Sequence, residues 1–200
     1  YNADGGESSM CGNGGRCLVK AAFDFGLIRD NYTFIAVDGV HEALIQKDGT
    51  VALKMNDVDR IESKGNDFVL DTGSPHYVQF SSDVEQLNVF QKGREIRYSS
   101  IFEQKGINVN FVERNDAPGN ITVRTYERGV EEETFSCGTG VTAAALVCYE
   151  NESGFNSITV QTRGGILRVD FEKTGDRYTN IWLNGPAEKV FEGTLQLALI

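Results

Sequence analysis

The 200-residue chain carries one unit written twice, and this limits the folds open to it more than any other feature. "YNADGGESSMCGNGGRC" from Tyr1 and "YERGVEEETFSCGTGVTA" from Tyr126 both open on tyrosine and pass through an acidic loop containing glycine. Both then reach Cys-Gly-x-Gly and enter a helix-like run. A hairpin pattern follows each helix: "NYTFIAVDGVHEALI" then "TVALKMN" in the first half, "NSITVQTRGGILRVDF" then "YTNIWLN" in the second. The turn glycines Gly39 and Gly164 fall at nearly the same offset from Cys11 and Cys137. A duplicated sequence calls for two similar, pseudo-symmetric halves.

Between the two copies lies a further set of elements. "FVLDTGSPHYVQF" reads as strand, loop and strand from Phe68 to Phe80. "SSDVEQLNVFQKG" reads as a helix with Ser82 as its N-cap and Gly93 at its end. "INVNFV" and "ITVRTY" read as strands around the turn "NDAPGN". Nothing comparable precedes Tyr1, so about 60–70 further residues are expected ahead of it if the halves are duplicates of ordinary domain size. The run "GVTAAALVCY" is apolar on every side, which belongs to a helix enclosed on every side. "GGRCLVKAAFDFG" is less uniformly apolar and stops at Gly26. The expected fold is α+β: two pseudo-symmetric halves, each a curled, mostly antiparallel sheet around a central helix, the first half incomplete at its N-terminus. The halves divide as residues 1–56 with 186–200, and 57–185.

A net charge of −10 with no basic patch argues against nucleic acid as a partner. No apolar run approaches the roughly 18 residues that cross a bilayer, so no membrane partner is expected. The spacings of Cys11, Cys17, Cys137 and Cys148 do not fit the paired knuckles of a zinc site, and no metal is expected. Disulfide frameworks belong to smaller secreted chains with denser cysteine, so free thiols in the cytoplasm are the better reading. Cys17 and Cys148, inside the helices, read as core residues.

Cys11 and Cys137 are different. A helix start leaves backbone N–H groups unpaired and carries partial positive charge, which stabilises a thiolate and binds carboxylates. Glycines at 12, 14, 15, 138 and 140 keep side chains out of that approach. Two such motifs facing each other would flank one α-carbon. One sulfur could remove a proton from one face while the other delivers a proton to the opposite face, inverting the centre. Other readings of the same residues remain open. A lone cysteine is commonly a small buried hydrophobe, and two nearby thiols could instead cycle through a disulfide in a redox or ligand-binding protein.

At these residues the chain resembles the diaminopimelate epimerases. The likeness runs through "YNADGGESSMCGNGGRC", "DTGSPHYV", "GINVNFV", "YERGVEEETFSCGTG" and "LNGPAEKVFEGTLQL". Proline racemases share the two-cysteine plan, but Asn13 and "YERG" favour the epimerases. Racemisation of another amino acid such as proline or hydroxyproline is the alternative; Arg128 with two asparagines suits a second zwitterionic end, which proline lacks. The resemblance implies a small amino-acid substrate, no cofactor, and a homodimer in the cytoplasm. It implies Cys11 and Cys137 as the two bases, with His76 and Glu127 polarising or orienting the reacting centre. Gly12, Asn13, Gly138 and Thr139 would hold the α-carboxylate. Asn2, Asn108, Glu127 and Arg128 would hold the distal end, Arg128 as a guanidinium clamp. Read alone, the asparagines could be turn formers, Glu127 and Arg128 a surface ion pair, and His76 an ordinary loop histidine. The family's Gly-Asn-Pro-His is here Gly73-Ser74-Pro75-His76, which puts a shorter hydroxyl at the distal contact.

Overall fold

The computed structural model describes residues 10–194 and Gln196. The first repeat is a helix, α1 (Gly12–Asp24), followed by strands β1 (Tyr32–Ala36), β2 (Gly39–Ile45) and β3 (Val51–Lys54). After it come β4 (Glu62–Lys64), β5 (Asp67–Asp71), β6 (Pro75–Phe80), helix α2 (Val89–Arg97), β7 (Asn108–Arg114), β8 (Asn120–Glu127) and β9 (Glu132–Thr134). The second repeat is α3 (Gly138–Val147), then β10 (Gly154–Thr162), β11 (Gly165–Thr174) and β12 (Arg177–Gly185).

The strands form one mixed sheet in the order β1-β2-β3-β12-β11-β10-β8-β7-β6-β5-β4, with β9 beside β8. The repeat is visible in this order: three strands of one copy meet three of the other at the antiparallel β3–β12 junction, where Leu53 lies opposite Leu183. Only β6–β7 and β8–β10 pair in parallel, and a helix lies in the connection between the members of each pair. The two repeat hairpins have matching turns. Ala36 pairs with Gly39 and Thr162 with Gly165, and both glycines sit at φ +125°, a conformation that favours glycine. The counterpart of Gly39 is therefore Gly165, one residue beyond the expected Gly164.

All ten residues of α3 are buried, and the helix packs inside the curl of β5 to β8 and β10 to β12. Its sequence allows this because it is small and apolar all round. Each fully buried Leu or Val contributes about 1.5–3 kcal/mol. By contrast α1 lies on β2 and β3 and buries only Gly12, Gly15, Arg16 and Val19. Cys17 is consequently exposed rather than part of the core, whereas Cys148 is buried as expected. Gly26, at φ +87°, follows the end of α1, its N–H on the Phe23 carbonyl.

The middle helix departs from its expected limits. It begins not at Ser82 but after Asn88, whose side chain accepts from the Gln91 N–H at 3.0 Å. The chain ahead of it is held elsewhere: the Val84 N–H donates to Glu113 and the Val84 side chain is buried. Gly93 lies within the helix rather than at its end. It faces Tyr126 so closely that a Cβ there would stand 2.3 Å from the tyrosine Cβ. The glycine is a packing requirement here, although it reads as a stop signal. Around this contact Val84, Val89, Ile107, Val109, Phe111 and Tyr126 form a second small core.

Candidate active site

Cys11 and Cys137 are the N-caps of α1 and α3, with backbone angles of −105°, 112° and −110°, 112°. Neither helix has an acidic residue in its first turn. The two ends meet. A Cβ on Gly12 would lie 3.2 Å from the Gly138 Cα, one on Gly138 would lie 3.1 Å from the Gly12 Cα, and either would meet Leu183 at 3.0 Å. Glycine at both positions is what lets the helix starts touch. A second tie crosses the same point. Asn13 Nδ2 donates to the Ser136 carbonyl at 3.0 Å, and Arg16 holds Asn13 Oδ1 at 2.8 Å. The side-chain amide of Asn13 is thus committed to joining the halves.

The two sulfurs have different surroundings. Cys11 is exposed, and its Sγ accepts from the Gly14 N–H at 3.4 Å. Cys137 is 9% exposed, with the Thr139 hydroxyl 3.4 Å from its Sγ. Burial, and after it the Glu127 carboxylate, push the Cys137 thiol up to about 11, against a smaller opposing pull from Thr139. The expectation that a helix start lowers a cysteine's pKa therefore fails at Cys137, because desolvation outweighs the hydrogen bonding there.

The turn between β5 and β6 is docked on the start of α3. Thr72 Oγ1 donates to the Thr139 carbonyl at 2.9 Å, and Gly73 takes φ +102°. His76, at the start of β6, is fully buried, with Nε2 2.9 Å from Thr139 Oγ1 and Nδ1 3.0 Å from Asn110 Nδ2. Burial, assisted by Arg128, lowers its pKa to about 3, so the ring is neutral. Both nitrogens are engaged. His76 therefore meets Thr139, which in turn meets Cys137, and offers no free nitrogen of its own.

Asn108 is also fully committed. Its Nδ2 donates to Ser74 Oγ at 2.8 Å and to the Pro75 carbonyl at 3.0 Å, while Oδ1 accepts from the Arg128 N–H at 2.9 Å. It holds Ser74 and Arg128 at fixed positions. Arg128 reaches the Lys105 carbonyl with one guanidinium nitrogen at 3.0 Å. Glu127 closes β8 beside it. Asn2 lies outside the described residues. Cys11 and Cys137 cap α1 and α3, Gly12 and Asn13 open α1, Gly138 and Thr139 open α3, Ser74 lies in the β5–β6 turn, His76 is on β6, Asn108 opens β7, Glu127 ends β8 and Arg128 follows it.

Sequence reasoning missed Thr72, Arg16 and Asn110. For Asn110 a signal existed: it stands two residues from Asn108 on the same face of β7, between the apolar Val109 and Phe111. Thr72 and Arg16 gave none, since their partners are distant in sequence or within an ordinary helix turn. Among the described residues, no group of three His, Cys, Asp or Glu side chains could hold a metal ion, and no helix is long and apolar enough to cross a membrane.

Residues 68–190 match the family model described as diaminopimelate epimerase. The diaminopimelate epimerase of Flavobacterium psychrophilum is 46% identical over 196 residues, covering 98% of this chain and 76% of the relative. Among solved structures, a phenazine biosynthesis protein of the PhzF family from Bacillus anthracis superposes with a TM-score of 0.64 at 13% identity, covering 89% of this chain and 73% of that one. A hydroxyproline epimerase from Agrobacterium vitis, with trans-4-hydroxy-L-proline bound, gives 0.61 at 16% identity, covering 88% and 63%. At these identities the two structures establish a shared fold.

Proposed function

The chain belongs to the diaminopimelate epimerase family, and on that premise we propose that it interconverts LL- and meso-diaminopimelate, a step toward lysine, by proton transfer between two cysteines. The observation that carries the mechanism is the meeting of two cysteine-capped helix ends at Gly12 and Gly138. A carboxylate at that junction takes hydrogen bonds from the first N–H groups of both helices and neutralises both positive ends. Its α-carbon then stands between the two sulfurs. The Cys11 thiolate removes the α-proton; the Cys137 thiol, which its surroundings keep protonated, donates to the other face. The reverse reaction runs with the roles exchanged.

Diaminopimelate carries an amino-acid group at each end. The Ser74 hydroxyl, which accepts from Asn108, and the guanidinium of Arg128, whose backbone N–H donates to Asn108, suit the distal group, and Glu127 suits its ammonium. Thr139 and Asn13 serve the α-carboxylate through their backbone N–H groups. The same reading places the enzyme in the cytoplasm, where free thiols persist, as a homodimer.

A substrate panel followed by chiral chromatography tests the assignment. LL-diaminopimelate is expected to turn over at least about 100-fold faster, in kcat/KM, than L-proline or trans-4-hydroxy-L-proline, which leave the distal polar groups unpaired. Preference for either imino acid would transfer the chain to the alternative activity.

A further inference from the structure

Asn110 has no part in the proton transfers just described, yet it is completely buried on β7 within the same network. Three contacts fix its amide. Nδ2 lies 3.1 Å from the Tyr77 carbonyl and 3.0 Å from His76 Nδ1, and Oδ1 accepts from Thr125 Oγ1 at 3.0 Å. A carbonyl can only accept, so the group facing Tyr77 is the NH2, and the same NH2 donates to His76 Nδ1. In the neutral ring that leaves the proton on Nε2. Nε2–H donates to Thr139 Oγ1 at 2.9 Å, and the Thr139 hydroxyl, with that lone pair occupied, is free to turn its own hydrogen toward Cys137 Sγ at 3.4 Å.

We propose that Asn110 is a positioning residue: by donating to His76 Nδ1 it selects the imidazole tautomer that makes Thr139 give its hydroxyl hydrogen to the Cys137 sulfur. The network thereby favours the thiolate at Cys137 in the step where that cysteine acts as base, so the proposal rests on the two-base reading for its catalytic meaning. It acts on one side only. In α1 the position of Thr139 is held by Asn13, whose amide is tied to Ser136 and Arg16, and Cys11 accepts from a backbone N–H instead. The relay belongs to the buried cysteine, whose thiolate has the greater need of a donor. Glu127 and Cys11 are the other ionisable groups bearing on Cys137, and Arg128 bears on His76; none of them is altered by the substitutions below.

Two measurements without substrate test this, so failure here is separable from failure of the assigned reaction. The chain has two histidines, so nitrogen NMR with a His41→Gln variant identifies His76. The wild-type ring is expected as the Nε2–H tautomer, and this needs no core substitution. Next, iodoacetamide labelling of Cys137 is followed by peptide mass spectrometry from about pH 7 to about pH 11, where the rate at each pH below the midpoint reports where the midpoint lies. Asn110→Asp, which accepts when ionised, should draw the proton to Nδ1 and turn the Thr139 hydroxyl toward His76. Asn110→Asp and Thr139→Val should each raise the labelling midpoint by about one unit, or lower the rate at fixed pH about tenfold. Together they should shift it by less than the sum, since both remove one hydrogen bond, whereas a through-space effect of the new carboxylate would add in full. An Nδ1–H tautomer in the wild type, an unmoved midpoint in Asn110→Asp, or additive shifts would each overturn the proposal.

Discussion

Cys137→Ala and Cys11→Ala are each expected to lower kcat for epimerisation by about 1,000-fold or more, and the double variant by little beyond that. A positioned acid or base contributes about 10²–10⁴. Here inversion needs one group to take a proton on one face while the other gives one on the opposite face. Losing either sulfur stops the cycle, so the effects cannot add as those of independent sites do. The variants should still fold. Cys11 is exposed, and truncating Cys137 leaves a cavity no larger than one sulfur beside Thr139. Steady-state turnover of LL-diaminopimelate, with circular dichroism as the control for folding, measures the effect. Full turnover in either single variant would remove the two-base mechanism.

Gly140→Ala has the second largest expected effect, and it runs against helix propensity. An alanine inside an exposed helix gains about 1 kcal/mol over glycine. In α3 the new Cβ would stand 2.3 Å from Asn110 Oδ1 and 3.3 Å from His76 Cε1. Asn110 cannot swing aside without giving up its contacts to Thr125, His76 and Tyr77, and a buried polar group left unpaired costs about 1–3 kcal/mol. Overpacking adds about 1–3 kcal/mol. The clash therefore wins, with a net loss of about 2–4 kcal/mol in urea unfolding. Displacing His76 and Thr139 by about 1 Å should also lower kcat on the order of 100-fold. The equivalent position in α1 is the control: among the described residues a Cβ on Gly14 would touch only Cys11 Cβ at 3.5 Å and Sγ at 3.7 Å, which is ordinary contact. Gly14→Ala should hold its stability.

These two predictions use information of different origin. The cysteines, their helix starts and the hairpins after them were legible in the sequence, because a duplicated Cys-Gly-x-Gly ahead of an apolar run leaves few arrangements. The enclosure of α3 followed from a composition with no polar face. What was not legible arises from contacts between distant segments. Gly93 reads as a helix stop until Tyr126 is seen against it, and the start of α2 shifts to Asn88 because Val84 is anchored by Glu113. Cys17 reads as core until α1 is seen to rest on the sheet by one face only. The pKa of Cys137 is set by burial and by Glu127 more than by the helix end, and helix position was all that the sequence offered. The relay from Asn110 to Thr139 joins β7, β6 and α3 over sequence separations of 34 and 63 residues, and no local pattern announces it.

The account stands most directly on the fate of the α-hydrogen. When the enzyme turns over LL-diaminopimelate in deuterium oxide, early product analysed by mass spectrometry should carry one deuterium at the inverted carbon, because the donating thiol has exchanged with solvent. Unreacted substrate recovered at the same time should retain its hydrogen, since the thiolate facing it returns the proton it took. Deuterium entering recovered substrate as fast as product, or product keeping the original hydrogen, would mean that a single base serves both faces and would contradict the paired-sulfur mechanism.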